Sequence, residues 1–415
     1  MAEKPGLALA HFRKAAQLEP GNLATQVQIA WCLHKLKDHA AAIDQFELVL
    51  QKRPDYGAAH AYLALTLAET HRTQDAVDEV RRGLRTLKNK NTRAFFEGRL
   101  GQWLTDLERW EEAIPPLQSS IESQPNSDAA HYALGYAYIQ LKRYVEAAKE
   151  FEQSARFDPT CAATHFNLGV AYSELGRAAD EISEYKRAIA IDSKHFLSWN
   201  NLAIAYSQAG NHEAAIEAWK SAIKLHPDDV KAHESLGLEY HTIGRFEEAL
   251  DVAWEIERIQ PDSSIAQATV AGYLTRVGKF DDGLNKARSA LQLDQDCADA
   301  HFVVGYALNN LDRNEEAIPE YLKAIELKPN YFEALGNLGE TYFKLGRSRD
   351  AVVPLEQAIQ LKPESAEAHD YLGAALLKNG DREKAMEQLR IIENLQPEYD
   401  GELAKLLRLE KSADG

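Results

Sequence analysis

Apolar residues along this chain recur with a period of 34. In the stretch FLSWNNLAIAYSQAGNHEAAIEAWKSAIKLHPDD, which starts at Phe196, positions 4, 7, 8 and 11 are Trp199, Leu202, Ala203 and Tyr206. That i, i+3, i+4, i+7 spacing puts four side chains on one face of a helix. Positions 20, 24 and 27, held by Ala215, Trp219 and Ala222, predict the same stripe on a second helix. Gly210 falls between the two, where a helix C-terminus takes a residue tolerant of left-handed backbone. Pro227, at position 32, stops the second helix. Ala203 and Ala215 are small where two helices must approach closely. A hairpin of this kind cannot bury its apolar stripe alone, so neighbours of the same kind are predicted on both sides.

The register holds along nearly the whole chain. Units begin at Leu23 and Gly57, then three residues late at Ala94, then at Asp128, Ala162, Phe196, Val230, Ser264, Ala298, Phe332 and Ala366. Eleven units thus span 23–399 and are expected to form one continuous solenoid. Residues 1–22 supply half a unit or capping helix through Ala8, Phe12, Ala15 and Pro20, and 400–415 read as a capping helix on Leu403, Leu406 and Leu407 with a frayed tail. Position 8 is Gly or Ala in every unit, and nine of the fourteen prolines stand at position 32. Pro115, Pro116, Pro319 and Pro354 are expected near the starts of second helices, where a missing N–H is tolerated.

Four departures carry their own expectations. The basic stretch RRGLRTLKNKNTR (81–93) lacks the terminal proline and gains three residues, which predicts a loose junction with a solvated edge. Unit eight, with Thr269, Val270, Ala271, Gly272 and Gly283, has lost most large signature residues and reads as a softer, hinge-like point or as a place where small residues pack closely. Glu181 stands where other units carry Ala or Gly, for which a local shift of the helix start is the cheaper explanation. Asp294, Asp296 and Asp299 look like a fragment of a calcium loop but lack its Gly and terminal Glu, so helix capping is expected.

Charge narrows the partners. With 47 basic and 64 acidic residues the net charge is −17, which argues against phosphate-neutralising nucleic-acid binding and against docking on anionic lipid. Cys32, Cys161 and Cys297 have no paired spacing, which suits a reducing compartment. MAEKPGLALAHF has no signal-peptide character, and no stretch approaches the roughly 18 apolar residues of a membrane span, so a cytoplasmic location is expected.

No catalytic motif occurs: there is no HExxH, GxGxxG, P-loop or GxSxG. Six of the fourteen histidines (His60, His131, His165, His233, His301 and His369) share position 4 of separate units. They recur once per hairpin, about 10 Å apart, too far for one metal and better read as packing residues. No catalytic residue, metal or cofactor is expected.

The spacing as a whole resembles the tetratricopeptide repeat, TPR. The resemblance implies an all-α, right-handed superhelix of antiparallel helix hairpins, an α-solenoid, whose first helices line a concave groove at positions 2, 5, 6, 9, 12 and 13. Those positions carry Tyr132, Tyr136, Phe166, Asn167, Asn200, Asn201, Phe302, Tyr306, Asn337 and Tyr371. Aromatics give contact area at low entropy cost, and Asn offers donor and acceptor to a peptide backbone. A non-enzymatic adaptor binding an extended peptide or partner segment is therefore expected. A clamp for a C-terminal carboxylate, as in chaperone-binding TPR proteins, is met by Asn201 and Lys231 but broken by Phe166, Val170 and Ser235. The asparagine ladder of O-GlcNAc transferases is met only by Asn167, Asn201 and Asn337. A substrate-recognition arm of a larger enzyme of that sort is the second reading, and a homo-oligomer joined through the exposed terminal repeat the third.

Overall fold

Helices start where the periodicity puts them. The structure, a computed structural model, describes residues 5–413, with side chains to Leu409, and no strand occurs among the described residues. Residues up to Asn211 make one compact unit and those from His212 onward another.

In the first unit α1 (Pro5–Leu18) is the half repeat. It is followed by the hairpins α2 (Leu23–Lys35)/α3 (His39–Lys52), α4 (Gly57–Glu69)/α5 (Thr73–Leu84), α6 (Lys90–Asp106)/α7 (Trp110–Ser123), α8 (Asp128–Gln140)/α9 (Tyr144–Phe157) and α10 (Ala162–Glu174)/α11 (Ala178–Ile191), then by α12 (Phe196–Gln208). The second opens with α13 (His212–Leu225). It continues as α14 (Val230–Thr242)/α15 (Phe246–Ile259), α16 (Ser264–Arg276)/α17 (Phe280–Leu293), α18 (Ala298–Asn310)/α19 (Asn314–Leu327), α20 (Phe332–Lys344)/α21 (Ser348–Leu361) and α22 (Ala366–Lys378)/α23 (Arg382–Leu395), and ends with α24 (Glu402–Ala413). Residues 414 and 415, part of the expected frayed tail, lie outside the described residues.

Position 8 is small because position 24 of the same hairpin lies over it. A Cβ built on Gly169 would come within 2.6 Å of the Tyr185 ring, and one on Gly305 within 2.9 Å of Tyr321. Phe46, Phe151, Tyr185 and Tyr321 fill this slot, and all are fully buried. Burial of an aromatic ring stabilises by about 2–3 kcal/mol, so each of these hairpins carries its own anchor. The turn between the helices needs one left-handed residue. Gly176, Gly210, Gly244, Gly278, Gly346 and Gly380 supply it, but Lys37, His71, Glu108, Lys142 and Asp312 adopt the same positive φ without being glycine.

At the end of the chain Asp370, buried on α22, accepts from the Glu402 and Leu403 amides at 2.8 and 2.9 Å. That carboxylate satisfies the free N–H groups at the start of α24 and docks its Leu403 and Leu407 into the core.

Several local expectations need correction. The basic stretch 81–93 is not a loose junction. Its three extra residues become an added turn at the start of α6, where Asn89 Oδ1 accepts from Thr92 N at 2.9 Å. Arg93 then ties the junction down through the Leu84 carbonyl at 2.8 Å and Glu97 at 2.9 Å. In unit eight the small residues pack closely. Val270 and Ala271 are fully buried, and a Cβ on Gly283 would meet the Ala271 carbonyl at 3.0 Å, so small residues here let α16 and α17 close up. Glu181 causes no shift of helix start, since α11 begins 34 residues after α9 like its neighbours. It is a buried carboxylate, 5 % exposed, whose pKa burial pushes up against a hydrogen bond from Ser173.

The prolines expected near helix starts lie in the second turn of α7, α19 and α21. There each ring removes an i to i−4 bond. Asp294 closes a turn onto its own Asp296 amide at 3.0 Å rather than capping the next helix.

Candidate functional site

In the second unit four of the ten sequence-predicted residues gather along neighbouring first helices. Phe302 and Tyr306 stack one turn apart on α18, ring centroids 6.1 Å apart. Phe302 also packs on Tyr331 at 5.0 Å. Both border a groove of about 750 Å³ together with Asn337 of α20. Tyr371 of α22 and Asn337 line a smaller adjoining recess of about 120 Å³. Asn337 donates one amide hydrogen to the Glu333 carbonyl at 2.7 Å, leaving the other hydrogen and Oδ1 to offer.

This groove is acidic. Asp312, Glu333, Glu340 and Glu367 line it against Arg276 and Lys344, four carboxylates to two cations. Tyr371 Oη donates to Glu340 at 2.9 Å. Burial, then the Glu340 charge, raise the Tyr371 pKa, and burial, then Glu340 and Asp370, raise that of Glu367. Added positive charge in the groove would relieve both.

The first unit arranges the same positions differently. Tyr132 and Tyr136 stack on α8 with centroids 6.3 Å apart and rings nearly parallel, beside a cavity of about 550 Å³. Asn167 does not reach that cavity's lining. It is 9 % exposed, and its Nδ2 donates both to Tyr132 Oη at 3.1 Å and to the Ala163 carbonyl at 2.9 Å. Phe166 packs between Tyr185 and His195 at 6.0 and 5.0 Å. Asn200 donates to Asn201 at 3.4 Å, and Asn201 to Tyr185 Oη at 3.3 Å. The structure therefore brings Tyr132 and Tyr136 together, and holds the three asparagines in contacts within the protein.

The position-4 histidines do more than pack. His60, His131, His165 and His301 each place Nδ1 at 2.6 or 2.7 Å from a glutamate nineteen residues on, namely Glu79, Glu150, Glu184 and Glu320. In each the Nε2 meets the carbonyl six residues back, and a carbonyl can only accept, so Nε2 carries a proton. The result is a brace joining the preceding turn, the first helix and the second. His369 repeats it with Gln388. Trp199 and Gln267 reproduce only the arm to the carbonyl, at 3.0 and 3.2 Å. His233, which faces Val252 in that register, turns to Asp229 instead. Burial works against charge on His60 and His131, but Glu79 with Pro54, and Glu150 with Pro125, outweigh it and raise both pKa values. The pairing of His with Glu at a spacing of nineteen was visible in the sequence and marks the brace.

Family profiles described as tetratricopeptide repeat match residues 24–56, 99–160, 162–195 and 200–264, and one described as TPR repeat matches 305–346 and 339–380. No curated protein matches the chain in sequence. Among solved structures, the Cut9–Hcn1 hetero-tetramer of the APC/C is 14% identical over 97% of this chain and 92% of its own, with a TM-score of 0.48. Yeast Tom70 is 16% identical over 99% and 92%, at 0.44. MamA of Desulfovibrio magneticus RS-1 is 20% identical over 41% and 97%, at 0.35.

Proposed function

Because the chain belongs to the tetratricopeptide-repeat family, we propose that it is a non-enzymatic protein-interaction scaffold that holds an extended, basic peptide segment against first helices of its second unit. The observation that carries this reading is the groove of about 750 Å³ where Phe302, Tyr306 and Asn337 meet a surplus of carboxylates. The two stacked rings offer a flat apolar step for a side chain of the peptide. Asn337 keeps a donor and an acceptor for one peptide group, which fixes register without demanding a particular side chain. Glu333, Glu340 and Glu367 favour Lys or Arg on the ligand and repel acidic segments. Tyr132 and Tyr136 would form a second, weaker contact on the first unit.

The test is binding of an array of extended peptides, varied in charge and aromatic content, to the native chain and to a Phe302→Ala/Asn337→Ala double variant. Peptides combining basic and apolar residues should bind the native chain and weaken at least tenfold on the variant, about 1.4 kcal/mol or more. Equal binding by both, or a preference for acidic peptides, rejects the groove as the site.

A further inference from the structure

We propose that His34, His39 and Glu69 form a three-ligand site for a divalent transition-metal ion, Zn²⁺ by the chemistry of its donors, at the seam between the first two hairpins. Each residue can bring one ligand atom to within 4.8 Å of the other two. His34 Nε2 lies 3.6 Å from Glu69 Oε1, and His39 Nε2 lies 3.6 Å from Glu69 Oε2. Those distances are too long for hydrogen bonds. Donors held about 2.0–2.1 Å from a tetrahedral Zn²⁺ sit ~3.3 Å from one another, so only small rotations would close the set on an ion. The His–Glu braces of the same chain make the contrast: at 2.6 or 2.7 Å their nitrogens are hydrogen-bonded to the carboxylate.

Hydrogen bonding around His34 points the same way. The Thr66 hydroxyl donates to the Tyr62 carbonyl at 3.0 Å, so toward His34 Nδ1, at 3.2 Å, it can only accept. The His34 proton therefore sits on Nδ1, and the Nε2 lone pair faces a carboxylate. Two electron-rich atoms directed at one another call for a cation between them. His34 is 3 % exposed, so packing holds its ring in place. Trp31 stacks on the His34 ring at 4.6 Å and fixes its plane, the kind of outer support that orients metal-binding histidines. Lys37 Nζ approaches Glu69 at 3.5 Å, but its side chain is 76% exposed and free to swing into water when an ion arrives. Glu69 is 42% exposed, which leaves an open side for a water as the fourth ligand. The residues in the same slots of the next seam are Ala68, Thr73 and Asp106, so the triad does not follow from the repeat itself.

The experiment is a calorimetric titration of the metal-free chain with ZnCl₂, alongside His39→Gln and Glu69→Gln, two partly exposed positions whose change should leave the helices intact by circular dichroism. The native chain should bind one equivalent of Zn²⁺, and each variant should bind at least tenfold more weakly. Zn²⁺ should raise the melting temperature of the native chain and not of the variants, because an ion that binds only the folded state stabilises it. Co²⁺ should give the absorption of a tetrahedral site in the native chain alone. Substoichiometric binding, or the same affinity in all three proteins, would show adventitious binding at other histidines and overturn the proposal.

Discussion

The aromatic face around Tyr132 and that around Phe302 are built from the same repeat positions and have opposite relations to their amides. In the first unit the amide, Asn167, is buried and spends both hydrogens on Tyr132 and on its own helix. In the second, Asn337 makes one bond to its own helix and stands at an open groove. The neighbours differ too: Phe302 leans on Tyr331 above an acidic floor, whereas Tyr132 leans on the buried ring of Phe151 at 5.7 Å. Membership of a groove-facing position thus makes a residue available to face a ligand, and the next helix decides whether it is already taken.

The largest expected difference lies between a hairpin with the brace and one without it. His131→Ala removes two partly buried hydrogen bonds and strands Glu150, and should cost about 3 kcal/mol in urea denaturation. His233→Ala, which loses one bond to a backbone carbonyl, should cost about 1 kcal/mol. Equal losses would mean that the glutamate arm adds nothing.

Next in size, Asn167→Ala should cost about 1–2 kcal/mol of stability and leave peptide affinity within twofold. Asn337→Ala should cost under about 0.5 kcal/mol and weaken binding several-fold. A reversal of that pattern would move the binding face to the first unit.

The turns give a smaller contrast. Lys142, at φ 57°, occupies a slot that Gly346 fills at φ 71°. Lys142→Gly should gain about 1 kcal/mol and Gly346→Ala lose about as much, read as shifts of the denaturation midpoint. Smallest of all is a pH effect. With His60 and His131 raised above the ordinary value of 6.5, the braces contribute fully below that pH and lose their charged share as pH climbs through the raised values. The stability gap between the native chain and His131→Gln should therefore narrow from pH 6 to pH 8. A gap that widens would mean the histidine is stabilising as the neutral base.

The hairpins were legible because their cause is local. Stripes such as Leu202, Ala203 and Tyr206 report a buried helix face whatever lies beyond, and Gly at position 8 reports the ring above it. What escaped sequence reasoning depends on partners that periodicity averages away. The extra residues before Ala94 looked like slack because nothing in their composition says that Asn89 caps them into a helical turn. Unit eight looked soft because its large residues are missing, yet small ones allow closer approach. Asn167 and Asn337 read identically from position alone, and Tyr132 Oη, which has no counterpart beside Asn337, takes up the first. His34, His39 and Glu69 fall at unrelated offsets, so a search by spacing passes over them, while three helix ends bring them together.

The brace also says where one module stops and the next starts. It ties the carbonyl at position 32 of one unit to positions 4 and 23 of the following one. A gene duplication cut at the conventional repeat border would sever the arm to that carbonyl, whereas a cassette cut just before the proline carries every bond of the brace intact. A copy made in that frame keeps its own brace whatever hairpin precedes it.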